Sequence, residues 1–164
     1  MEPADVAALV RDDMAALRDA RVFDYVTALL LSPPGPVRVW VARYSGEVYE
    51  GFVVLSHPSS GTSIVYCPRD YDPADPWGLV FTPRGSPTPQ TWCYGDWYSR
   101  FLDVYFESKA ASDLAIWCVR ERRPGREPEW LSGELPWDEA WERVLALRLA
   151  SPEYQYDCEH AVLY

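Results

Sequence analysis

The sequence predicts an α+β protein. The expected architecture is an antiparallel β-meander of about four to six strands, packed against an N-terminal helix, an aromatic central helix and a C-terminal helix, all in one domain spanning 1–164. Three observations carry this. Residues 37–67 hold three β-rich stretches divided by short turn signals. Residues 3–20 and 136–150 place apolar side chains at helical spacing. Between these, residues 97–106 carry a stripe of aromatic rings.

Taken in order, residues 3–20 read as an amphipathic helix. Pro3 suits its first position, Glu2 and Asp5 suit the positive end of its dipole, and Val6, Leu9, Val10, Met14 and Leu17 form its stripe. Val22–Leu31 has the β-branched and aromatic content of a strand, although Tyr25, Val26, Leu29 and Leu30 also fit a helix. Read as a strand, it makes Ser32–Pro36 (SPPGP) the turn into Val37–Tyr44, where Val37, Val39 and Val41 recur every second residue. Ser45–Glu47 then makes a hairpin connection, Val48–Leu55 returns, Ser56–Gly61 turns, and Thr62–Cys67 is the next strand.

Residues 68–96 hold six prolines and five aromatic residues. Proline fixes φ and removes a donor, so only a short strand at Trp77–Thr82 is expected there. Asp96 is read as the N-cap of a helix over 96–109, with Trp97, Phe101, Val104 and Tyr105 on one face and Tyr98, Leu102 and Phe106 beside them. Leu114–Val119 (LAIWCV) is too short for a helix and reads as a buried strand joining the sheet, with Leu114, Ile116, Trp117 and Cys118 as its core. After an irregular link, Pro136–Ala150 is a helix with Trp137, Trp141, Val144, Leu145 and Leu149 turned inward. Tyr154–Tyr164 is expected to dock as an edge strand.

Composition narrows the function. The chain of 164 residues is 48% apolar and 15% aromatic, which excludes a disordered chain. Its 8 Trp and 11 Tyr exceed the needs of one core, so some rings are expected at a surface. Charge is 15 basic against 25 acidic residues, a net −10 that divides as −5 on each side of residue 82. A field of that sign repels nucleic acid and anionic lipid and attracts a basic partner. No apolar run is long enough to span a bilayer, and the acidic start MEPADVAALV lacks a signal peptide's basic region. The four widely spaced cysteines are expected to be reduced, in a cytoplasmic protein. Basic residues are nearly all Arg and Asn is absent, a bias that points to a GC-rich, bacterial or phage, coding sequence.

Reactive constellations are sparse. Cys158-Glu159-His160 supplies two metal ligands at most, so no metal is expected. Asp70, Asp72 and Asp75 resemble half a calcium loop, but the required glycine and closing glutamate are missing. Cys93 precedes the expected central helix, where a dipole could lower a thiol pKa with His57 or His160 as base, yet no nucleophile-elbow motif is present. Arg120, Arg122, Arg123 and Arg126 alternate with Glu121, Glu127 and Glu129, as in a salt-bridged link. No phosphate-binding glycine motif occurs.

The expectation is therefore a binding protein with no catalytic residues, metal or cofactor. Its sharpest form is a small acidic inhibitor, an immunity protein that neutralises a bacterial toxin by covering its basic surface. The partner would be a basic protein such as a toxin domain, with neither nucleic acid nor membrane involved. The expected anchors are Asp70, Tyr71, Asp72, Asp75 and Trp77, held outward by the Pro-rich loop. Two rivals stand beside it. One is a cytosolic hydrolase or transferase with a site between the meander and that loop, using His57 or Asp70–Asp75. The other is a phage or host interaction adaptor. An acidic surface kept only for solubility is the plainest alternative.

Overall fold

The structure, a computed structural model, describes residues 1–41, 47–68, 74–81 and 90–164. These form an α+β fold and divide into two compact units, residues 1–110 with Tyr164, and residues 111–163.

The first unit begins with α1 (Pro3–Met14). Proline opens it, the Glu2 N–H donates to Asp5 at 2.8 Å, and Val6, Val10 and Met14 are buried at i, i+4, i+8. The helix expected over 3–20 ends at Met14, because Asp19 starts a second one. Its carboxylate accepts from the N–H groups of Arg21 and Val22 and caps α2 (Ala20–Leu29). The strand expected at 22–31 is thus corrected to a helix. The i, i+4 burial of Val22 and Val26 overrides their β-branched preference.

Five strands follow: β1 (Leu30–Val41), β2 (Glu47–His57), β3 (Thr62–Tyr66), β4 (Trp77–Phe81) and β5 (Gln90–Tyr98). Ser32–Pro36 lies inside β1 and is not the expected turn. Pairing with β2 skips from Leu30 to Gly35, which accommodates prolines that cannot donate. Successive strands pair antiparallel, so an odd fifth strand runs in the direction of the first. β5 pairs parallel to β1 from Arg38–Gln90 to Trp40–Trp92 and closes the meander into a barrel.

One face of the barrel wall carries alternate residues of every strand. Val37, Val39, Val65, Cys67 and Val80 are its buried centre, with Tyr49, Val53, Cys93 and Trp97 against them. Two glycines occupy the same alternation. A Cβ at Gly51 would stand 2.6 Å from the Tyr66 carbonyl oxygen, and one at Gly78 would stand 2.8 Å from the Trp97 ring. Both positions must be empty for the wall to close over its own core.

The expected helix at 96–109 is corrected next. Residues 96–98 continue β5, with Trp97 opposite Gly78 and Tyr98 opposite Trp77, and only α3 (Phe101–Phe106) is helical. Phe101, Leu102, Val104, Tyr105 and Phe106 are all buried, as befits a helix apolar all round. Its entry is capped from elsewhere: the Leu102 N–H and Arg100 Nε both donate to the Asp13 carboxylate at 3.2 Å. Tyr164 joins this unit, donating from its hydroxyl to Asp103 at 3.1 Å and stacking on Phe106.

The second unit holds β6 (Trp117–Arg122), β7 (Glu129–Trp130), α4 (Trp137–Ala150) and β8 (Gln155–His160). The buried run 114–119 does contribute a central strand, but of a separate sheet ordered β7-β6-β8, and it does not join the barrel. Leu114 is only half-buried; Ile116, Trp117, Cys118 and Val119 are buried. The C-terminal helix likewise belongs here. α4 lies on β6 and β8 through Ala140 and Val144, with the Trp137 ring edge-on to Trp117 at 4.6 Å.

Candidate functional site

Of the anchors expected from sequence, Asp70, Tyr71 and Asp72 lie outside the described residues. Asp75 is half-buried. Trp77 is a correction: it is 4% exposed, pairs with Tyr66 and Tyr98 across β3 and β5, and packs edge-on against Tyr66 at 4.8 Å and Phe101 at 5.5 Å. It is a core ring on a strand, not a surface ring on a loop.

The reactive side chains are held in structural settings. His57 is buried where β2 turns into β3, with Nδ1 2.8 Å from Ser60 Oγ and Nε2 2.8 Å from Ser59 Oγ. Ser60 in turn bonds Thr62 Oγ1 at 2.7 Å, so the imidazole braces its own turn. Burial, then the neighbouring Cys93, pushes the Cys67 thiol up to about 12. Burial, then Cys118, pushes Cys158 up to about 11. Thiols this far above their ordinary range stay protonated at neutral pH and are poor nucleophiles.

Strand alternation also separates the C-E-H triplet. Cys158 and His160 share the face of Val119 and Trp117, while Glu159 points to the other side with Arg120 and Arg122. Burial lowers the His160 pKa, which keeps that imidazole neutral. Among the described residues no three His, Cys, Asp or Glu side chains converge as a metal site.

Three of the four arginines of the basic cluster are paired within the second unit. Arg120 and Arg122 both donate to Glu159, Arg122 reaches Asp157 at 3.0 Å, and Arg123 donates to Glu121. Glu121 is 4% exposed, and the Arg123 bond holds its carboxyl below the usual range. Burial alone would raise Glu159, but the bonds from Arg120 and Arg122 outweigh it and lower the pKa. Rings cover the same cations, with Trp130 over Arg120 and Tyr154 over Arg123.

Among the described residues, the outer side of α4 presents open apolar surface. The sequence turned Trp141, Leu145 and Leu149 inward; the structure turns them out, with exposures of 36%, 45% and 86%. Small Ala140 and Val144 set the inward face, so the larger residues four apart fall on the other flank. Trp137 and Trp141 stack in parallel, 5.9 Å apart. Asp138 lies at i+3 before Trp141, Glu142 at i+3 before Leu145, and Glu139 at i+3 before Glu142; all three carboxylates are exposed. On the opposite border Arg148 is tied down, donating twice to the Tyr156 carbonyl and lying over the Trp141 ring. The result is an apolar, ring-bearing stripe edged by carboxylates. Helical spacing was the available signal, but the run from 137 to 149 is apolar on two flanks, and periodicity does not say which one meets the sheet.

Compared with protein-family models, curated proteins and solved structures, the chain finds no match. No helix among the described residues is long and apolar enough to cross a membrane.

Proposed function

We propose that this chain is a small acidic binding protein of the inhibitor type, an immunity protein that covers the basic surface of a bacterial toxin. The observation that carries the reading is the outer face of α4, where exposed Trp141, Leu145 and Leu149 stand beside Asp138, Glu139 and Glu142. Apolar anchors give slow dissociation, and a carboxylate border gives fast, salt-sensitive association with a cationic partner. The chain's net −10 adds long-range attraction of the same sign. In the second unit Arg120, Arg122 and Arg123 are already paired with Glu159 and Glu121.

The test captures partners from the source cells in parallel on the wild-type chain and on Trp141→Ala/Glu142→Arg. The proposal expects a basic protein retained by the wild type and released by the variant. Retention of an acidic partner, or equal retention by both chains, contradicts it.

A hydrolase is the second reading, favoured by one contact: the exposed Ser59 hydroxyl 2.8 Å from His57 Nε2, whose Nδ1 is held by Ser60. Ester hydrolysis abolished by Ser59→Ala would support it. Rates equal to those of the free buffer in the wild type would remove it.

A further inference from the structure

The first unit contains a groove that the binding proposal does not use. It has a volume of about 550 Å³ and lies among α1, α2, β1 and β2. That is within the range of sites that enclose a small ligand. Val10, Met14 and Val54 are buried in its floor, and Phe23 and Leu31 stand exposed at its walls. Helical spacing on α1 explains the opening. Ala7, Arg11 and Ala15 follow one another at i, i+4, i+8, so two small residues flank one long cation and leave space on either side of it.

The lining is almost wholly apolar. Among the described residues Arg11 is its one charged side chain, and Thr27 and Ser32 supply hydroxyls. Thr27 already donates to the Phe23 carbonyl at 2.7 Å, so the groove offers donors from Arg11 and Ser32. A guanidinium matches a carboxylate with two parallel bonds. A phosphate head would leave one negative charge unbalanced in a chain of net −10, whereas a monoanion is balanced by Arg11 alone.

We infer that this groove binds a single-chain aliphatic monocarboxylate, with the tail along Val10, Met14 and Val54 and the carboxylate on Arg11. The site is independent of the α4 face, so neither proposal depends on the other.

Calorimetry of the full chain with decanoate, octanoate and decanol, all at monomeric concentrations, tests it. One decanoate is expected to bind per chain, with octanoate weaker on the order of tenfold for the two methylenes lost. Decanol and the Arg11→Gln variant with decanoate should each fall about tenfold or more. Ala7→Phe should fill the groove and abolish binding while melting like the wild type. Should that variant fail to fold, the wild-type methyl resonances of Val10, Met14 and Val54 serve instead, and they should shift together on titration with decanoate. The inference is overturned if decanoate shows no saturable binding or if decanol binds as tightly. It is equally overturned if a folded Ala7→Phe binds like the wild type, or if those three methyls stay still while others move.

Discussion

The two units carry the same formal charge, −5 each, and hold themselves together differently. In the first, side-chain volume decides. The wall closes because Gly51 and Gly78 vacate positions that a neighbouring carbonyl and the Trp97 ring occupy. In the second, a three-stranded sheet too small to close carries a ladder of ion pairs, with Arg120 and Arg122 on Glu159 and Asp157, and Arg123 on Glu121. A closed wall tolerates little change in volume. An open sheet tolerates changes in volume better than changes in protonation.

The largest effect expected from breaking this contrast is in the first unit. Phe101→Ala removes a fully buried ring that packs on Trp77, and should cost about 3–5 kcal/mol in denaturant unfolding. A loss below about 1 kcal/mol would mean the α3 core is not tight. Gly51→Val comes next, at about 1–3 kcal/mol, since its Cβ meets backbone that cannot swing aside. Gly125→Ala is the control: its φ of +72° favours glycine, yet no atom stands within 4 Å, so its cost should be about 1 kcal/mol.

Acid should weaken the second unit in two steps, because His160, Glu121 and Glu159 all lie in it. The folded chain keeps His160 neutral, so protons bind the unfolded state more readily and stability falls as pH drops below about 6.5. Glu121 and Glu159 have lowered folded pKa values, so what their ion pairs contribute is present above about 4.5 and is lost as pH falls below it. Melting temperature followed against pH should show both limbs. His160→Gln should flatten the upper one and Glu121→Gln the lower. An unchanged profile in either variant would remove that group from the account. The smallest effect is expected at Leu149→Ser, under about 0.5 kcal/mol, because that side chain is already in water.

Legibility in the sequence followed the same division. Local signals were enough for the hairpin from β2 to β3, for β4, and for α4 within a residue at its start. They failed where a partner distant in sequence decides. Trp97 and Tyr98 fit a helix stripe, and only the vacancy at Gly78 and the pairing with Trp77 make them a strand. Trp77 opened the expected short strand but read as an outward ring, because its burial depends on Tyr66 and Phe101. At 22–31 the cap at Asp19 was the missed clue, a local signal outweighed by β-branched content. The α4 face was half legible: its spacing was visible, its orientation was set by the small sheet it rests on.

The central claim, that the carboxylate-edged stripe of α4 receives a basic partner, is tested most directly by association kinetics. The captured partner would be measured against the wild-type chain and Glu139→Arg/Glu142→Arg at low and high salt. The account predicts association several-fold slower for the variant at low salt, with the two rates converging as salt screens the charges. Equal rates for the two chains at low salt would contradict it.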